Sequence, residues 1–201
     1  MSKDIIKINN YEVSGIYYSI VASGFPMSDE PDVYDNTALY EKDLKRFKTL
    51  KNARSGSGHD CFLKGISIQF DLTAPEYFWR QIDRYHFIDH VSSQSKMHCI
   101  TKFKIEDMVN DAVDERIIDV LKEKINAGLS HREILSNVPG GLMMTSRMTT
   151  NLLQLKTIKE QRASHRLPEW TEFCKFIDAV FNAVEESVED YVNSKNINKE
   201  E

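Results

Sequence analysis

The sequence predicts an α+β fold, mostly helical. Three observations carry this. Ile66, Ile68 and Phe70 alternate with Ser67, Gln69 and Asp71 across Ile66 to Leu72, the period of a half-buried strand. Longer stretches repeat apolar residues at helical spacing, most clearly Asp114 to Ala127 with Ile117, Ile118, Val120, Leu121 and Ile125. Turn signals separate these stretches, with no internal repeat and no low-complexity linker among them.

In chain order, Ile5 to Ile20 favours strand through Tyr11, Val13, Ile16, Tyr17, Tyr18 and Ile20, with a helix from Ser14 as the alternative. Gly24-Phe25-Pro26 and Asp29-Glu30-Pro31 mark a loop. Residues 38 to 52 read as a charged helix striped by Leu39, Leu44, Phe47 and Leu50. After the strand, Thr73 is the candidate N-cap of a helix with Pro75 in its first turn, running to Tyr85 or Phe87. Val91 to Thr101 reads as loop and strand, and Glu106 to Asn110 as a short helix. Helices are expected at 114–127, closed by Gly128, and at 130–137, stopped by Pro139-Gly140-Gly141. A long helix from Ser146 to Arg162 and a last one from Pro168 to Val192 complete the reading. The expected organisation is one domain over 1–192 and a frayed tail over 193–201.

The chain has 201 residues, enough for one domain with a sizeable core. A formal net charge of −5 argues against a general attraction to nucleic acid and leaves room for a local basic pocket. Three widely spaced cysteines without a Cys-x-x-Cys pair argue against a disulfide framework or a structural zinc site. No apolar run reaches the roughly 18 residues of a membrane span, and the early acid and missing apolar run after Met1-Ser2-Lys3-Asp4 give no expectation of a signal peptide. A cytoplasmic protein without membrane contact is expected.

Four blocks could carry chemistry. In Gly56-Ser57-Gly58-His59-Asp60 the glycines let backbone approach a phosphate and His59 could position a ligand. A Walker loop is excluded by the missing Lys-Ser/Thr ending, and a plain connector is the alternative. In Trp79 to His90, Arg80, Asp83 and Arg84 have helical pairing distances, while Gln81 and Arg84 could face one pocket. His86 and His90 have metal-ligand spacing but no intervening Glu, so no metal is assigned. Val91 to His98 is dense in hydrogen-bonding groups with one cation, Lys96, and suits phosphate and base recognition or a polar surface loop. It lacks the Gly-x-Ser-x-Gly setting of a serine hydrolase. Finally, Thr149-Thr150-Asn151 leads toward Arg162, His165, Arg166 and Glu169, with a helix break expected at Pro168. That group reads as a binding face or as cations at a helix C-terminus.

In this order the blocks resemble the flavin-dependent thymidylate synthases, across roughly residues 40 to 180. That family places a His before an alternating strand, as His59 stands before Ile66. Its next helix ends in Arg-Gln, two residues, then Arg-His-Arg, against Arg80-Gln81-Ile82-Asp83-Arg84-Tyr85-His86. Its loop Asn-Glu-x-Ser-x-Arg-Tyr is matched, displaced by one residue, by Ser92 to His98. Its Asn-Leu-Arg and His-Ala-Gln-x-Glu-Ile-Arg segments fall at Asn151-Leu152-Leu153 and at His165 to Glu169. The resemblance implies a small, mainly antiparallel sheet packed on long helices. It implies homotetramers with sites built from several subunits, FAD as cofactor, no metal, and methylation of the pyrimidine nucleotide dUMP from a folate donor, with a nicotinamide cofactor reducing the flavin. It implies Ser95 and Gln81 at the reaction centre. It implies Gln81, Gln94, Ser95, Lys96, His98 and Arg162 against the nucleotide, and His59, Arg84, His86 and Asn151 against the flavin.

Several positions depart from the pattern. Tyr85 and His86 stand where the family has His and Arg, Ser93 for Glu, and Met97, Leu153 and Thr171 for Arg. A charge-assisted contact is worth about 1.5–3 kcal/mol, roughly ten- to a hundredfold in affinity. Arg147, Arg162, Arg166 and Lys96 are the cations placed to compensate. The departures give a second expectation, a non-catalytic nucleotide- or partner-binding protein on the same scaffold.

Overall fold

The computed structural model describes residues 5–29 and 38–197. Four strands, β1 (Lys7–Ser14), β2 (Ser67–Pro75), β3 (Ile88–Ser93) and β4 (Met143–Asn151), form one antiparallel sheet in the order β1-β2-β4-β3. The helices are α1 (Ile16–Ala22), α2 (Glu41–Leu50), α3 (Glu76–Ile82), α4 (Lys96–Cys99), α5 (Glu115–Asn126), α6 (His131–Leu135), α7 (Leu152–Arg162) and α8 (Pro168–Ile197). The α+β fold, mostly helical with a small antiparallel sheet, is therefore as expected.

The central strands β2 and β4 follow the period of two. In β2, Ile68, Phe70, Leu72 and Ala74 are buried while Ser67 and Gln69 are exposed. In β4, Met144, Ser146, Met148 and Thr150 are buried, and Thr145, Arg147 and Thr149 lie half-buried on the other face. The outer strands β1 and β3 are largely exposed. These edges carry Lys7 and Asp89, charges that discourage further strand pairing.

The chain divides into two compact units, one of residues up to Asn10 with Phe70–Thr149, the other of Tyr11–Gln69 with residues from Thr150 onward. In the first unit, α3 buries Phe78, Trp79 and Ile82. The Trp79 indole donates to the carbonyls of Ala74 at 3.0 Å and Met144 at 3.2 Å, which satisfies its one buried donor. α5 is capped by Asp114, whose carboxylate accepts from the Arg116 amide, and it ends at Gly128 with φ +66°. α6 has a capping box between Ser130 and Glu133.

The second unit is helical. α8 buries Trp170, Phe173, Ile177, Val180, Val184, Val188 and Val192, spaced three or four apart down one face, and packs with α2 and α7. Pro168 opens α8 because its missing amide and fixed φ suit a first turn. Ion pairs of α2 with α8, Lys48 to Glu189 and Lys51 to Glu185, decorate the outer side of that packing.

Several expectations are corrected. Thr73 is not a helix cap: β2 continues to Pro75, and the Thr73 hydroxyl lies 2.7 Å from that of Thr145 on β4. Alternating burial of Leu72 and Ala74 holds Thr73 in the strand, and Pro75 caps α3. α3 stops at Ile82, before a turn that puts Phe87 at φ +63°. The helix expected from Ser146 starts only at Leu152, because Thr145, Thr149 and Thr150 favour a pleated strand and Asn151 supplies an N-cap. The segment Ile5 to Ile20 resolves into β1 and α1, joined at Gly15. α8 runs to Ile197, beyond the expected stop at Val192, while residues 198–201 and Glu30-Pro31 lie outside the described residues.

Candidate functional site

The predicted residues of the first unit sit on α3, the turn after it, and the passage from β3 into α4. Gln81 is in the last turn of α3 and half-buried, and Arg84 and His86 follow on the exposed turn. The end of β3 is fixed twice to β4. The Gln94 amide donates to the Thr145 carbonyl at 2.9 Å, and the Thr145 amide donates to Gln94 Oε1 at 2.8 Å. This clasp sets the direction of the next residues. Ser95 is the N-cap of α4, and its carbonyl accepts from the amides of His98 and Cys99. Its hydroxyl caps nothing, so it is not consumed by the helix it precedes. The Lys96 ammonium lies 2.9 Å from Glu76 on α3, and His98 and Met97 point to solvent. Gln94, Ser95, Lys96 and His98 thus share one rigidly anchored turn.

A chain of hydrogen bonds, exposed at Asp83 and buried at Ser146, runs beside that turn. His90 on β3 places Nε2 3.0 Å from Asp83 Oδ1 and Nδ1 2.7 Å from the Ser146 hydroxyl, which in turn donates to the Ser92 carbonyl at 2.8 Å. The Trp79 ring packs on the imidazole at 5.1 Å. The residue types are those of a hydrolase triad, but Ser146 is only 2% exposed, inside a strand. It cannot meet a substrate, so the chain ties β3 to β4 and to the end of α3. His90 therefore makes structural bonds, and among the described residues no group of acids, histidines and cysteines is placed to hold a metal.

The open face of the sheet holds a second network that the sequence did not reveal. Asp71 on β2 receives Asn10 Nδ2 at 2.7 Å and Arg147 Nη1 at 3.2 Å, and Arg147 also donates to the Asn10 carbonyl at 2.5 Å. The Asn10 bond first, then Arg147, hold the Asp71 carboxyl below the usual carboxylate range against a desolvation penalty. Asn10 adopts φ +50°, a left-handed conformation that Asn tolerates better than most residues. The alternation of Ser67, Gln69 and Asp71 marked this face, but the helix expected from Ser146 hid Arg147.

The predicted residues of the second unit are His59, Asn151 and Arg162. His59 is exposed on the loop after α2. Asn151 caps α7 by accepting from the Gln154 amide at 2.9 Å. Arg162 closes α7 with its guanidinium 4.6 Å above the Trp170 ring, and His165 Nδ1 accepts from the Leu167 amide at 3.1 Å. Three of the four cations placed to compensate for lost arginines therefore already have partners. Lys96 has Glu76, Arg147 has Asp71 and Asn10, and Arg162 has Trp170, whereas Arg166 is exposed.

A four-stranded antiparallel sheet in the order β1-β2-β4-β3, with two successive helices after its last strand, defines the class of fold. No family model and no curated protein matches the sequence. Solved structures do. A crystal structure of the flavin-dependent thymidylate synthase ThyX from Helicobacter pylori, complexed with FAD and dUMP, matches with a TM-score of 0.66 at 12% identity, over 91% of this chain and 93% of that one. A second structure of the same enzyme with FAD and dUMP gives a TM-score of 0.67 at 12% identity, over 93% and 98%. At that identity the likeness is one of fold. It agrees with the thymidylate-synthase-like architecture that the motif order implied. Among the described residues no helix is long and apolar enough to cross a membrane.

Proposed function

We propose that this chain is a diverged relative of the flavin-dependent thymidylate synthases that binds a pyrimidine deoxynucleotide and FAD as a homo-oligomer. The observation that carries the reading is a shared fold over nearly the full length of both chains, with matched structures that hold those two ligands. Local chemistry supports it. Arg84 and His86 on the turn after α3 are exposed donors of a kind that suits the phosphates of an anionic dinucleotide, and His59 in the second unit is exposed as well. Ser95 and Gln94 stand on an anchored turn where hydroxyl and amide groups can read a pyrimidine. In this reading bound flavin supplies the redox chemistry of methyl transfer, and the chain's residues bind, orient and exclude water. Gln81 and Ser95 lie against the reacting nucleotide, with Lys96, His98 and Arg162 binding it and Asn151 meeting the flavin.

A second reading is favoured by the departures. Met97 is 54% exposed where the family has Arg, Leu153 is half-buried, and most of the compensating cations are committed. These features suit a non-catalytic nucleotide- or partner-binding protein on the same scaffold. Three measurements decide. Flavin absorbance of the purified protein, and thermal shifts with FAD and with dUMP, test binding. Product analysis with dUMP, a folate donor and a reduced nicotinamide tests methyl transfer. Binding with turnover supports the enzyme, binding without turnover supports the nucleotide-binding form of the second reading, and a protein that binds neither ligand sinks the enzyme and leaves only partner binding.

A further inference from the structure

Loop 54–59, Arg54-Ser55-Gly56-Ser57-Gly58-His59, leaves the body of the second unit and returns to it. Both of its feet are held by one side chain. Lys156 of α7 places Nζ 2.7 Å from Asp60 Oδ2 and donates to the Ala53 carbonyl. Asp60 is 1% exposed and the Lys156 side chain 11%, so the bridge is shielded from water. One turn further along α7, Glu160 accepts from the Ser55 hydroxyl at 2.7 Å. The tip is free by contrast. Gly56 and Gly58 have φ of +80° and +85°, and a Cβ added at either would meet nothing within 4 Å. The other lysines beside this stretch are occupied, Lys51 by Glu185 and Lys159 by Asp178.

We infer that Lys156 is a positioning residue for this loop, holding its two feet so that the backbone of the tip and His59, beside the Asp60 foot, are presented to an anionic ligand. The inference rests on the proposed flavin reading, which puts His59 against FAD. A loop clamped at both ends has lost part of its conformational freedom before ligand arrives, so less ordering is charged against binding. The Ala53 carbonyl satisfies a second N–H of the shielded ammonium and, because it lies at the opposite foot from Asp60, the same group ties the two feet together. The clamp needs both bonds.

The test uses Lys156→Met, which keeps the apolar stem and removes the ammonium, and Lys156→Arg, whose guanidinium can still bridge a carboxylate and a carbonyl. If Lys156→Met fails to fold because Asp60 is left buried and unpaired, the double variant Lys156→Met/Asp60→Asn removes that charge and still cuts the bridge. Amide hydrogen exchange over 55–59, trypsin cleavage after Arg54, and FAD affinity are measured on the full chain. The expected result is exchange and cleavage faster by about tenfold in the Met-containing variant and FAD binding about tenfold weaker, with Lys156→Arg restoring both. Unchanged loop exchange, or looser exchange with unchanged FAD affinity, overturns the inference while the flavin reading stands. A wild-type protein that binds no FAD overturns that reading, and this inference with it.

Discussion

Asn151 has two claims on its side chain, a cap that is seen and a ligand contact that is proposed. The cap bond to Gln154 is worth about 1 kcal/mol, the usual loss when Asn at an N-cap becomes Ala. Asn151→Ala should lower unfolding stability by that amount in urea titration. Asp caps as well as Asn, so Asn151→Asp should keep stability, and its added charge should weaken FAD binding if the side chain meets flavin. Equal FAD affinity for Asn151→Asp and wild type would leave Asn151 a cap alone. The cysteines separate just as cleanly. Burial pushes the Cys174 thiol up, Lys159 pulls it down and Asp178 adds to the rise, whereas Cys61 is exposed. A thiol reagent near pH 8 should modify Cys61 first and Cys174 last, at a rate set by opening of α8. Early modification of Cys174 in the native protein would contradict the packing described for it.

At the scale of elements, the joint between β1 and α1 turns on Gly15. It sits at φ +78°, and an added Cβ would lie 2.2 Å from the Gly65 carbonyl oxygen. Gly15→Ala should therefore cost at least about 2 kcal/mol, strain and clash together. Gly56→Ala has a similar φ in open space and should cost about 1 kcal/mol. Equal losses in denaturant melts would mean that the Gly65 carbonyl does not crowd Gly15. The sheet face gives a pH signature. Because Asn10 and Arg147 lower the folded pKa of Asp71, its contribution is fully present above the ordinary carboxyl value of about 4. It is lost as pH falls through the lowered folded value. Asp71→Asn should flatten the acid loss of melting temperature below about pH 4, and an acid limb as steep as wild type would count against the network. What was legible in the sequence follows the same physics. β2 showed itself because one face is buried and the other wet, and α5 because its apolar residues recur at helical spacing. β4 did not, since its methionines suit a helix and its threonines, though they favour a strand, did not decide the matter before the sheet partner was known. β1 and β3 are edges whose side chains are mostly exposed, so residue type favoured strand near them while no burial pattern fixed their bounds. Of the candidate site, the polar turn at Ser92 to His98 was visible as composition. The Asp71–Arg147–Asn10 network and the His90–Ser146 tie needed the pairing of strands distant in sequence.

For the whole molecule, the fold and the proposed ligands are joined by mass action. A ligand that binds only the native chain stabilises it by RT ln(1 + [L]/Kd), about 2.7 kcal/mol at a hundred times Kd. If FAD is the cofactor, melting temperature should climb steadily with the logarithm of FAD concentration once Kd is passed. If dUMP binds as well and the two ligands share groups, dUMP should add a further rise that grows when FAD is present. In the proposed reading, Met97, Leu153 and Thr171 stand where the thymidylate synthases that the sequence resembles carry arginines. With about 1.5–3 kcal/mol lost per charge-assisted contact, affinity should fall well below that of a protein keeping all three, and the rise should begin at correspondingly higher concentration. Met97→Arg and Leu153→Arg restore a cation to an exposed and a half-buried position. If those positions face the ligands, each substitution should move the onset of the FAD or dUMP shift about tenfold lower in concentration. Onsets unmoved by either substitution would mean that the scaffold no longer directs those positions at a nucleotide, and that the shared fold has been put to a different use.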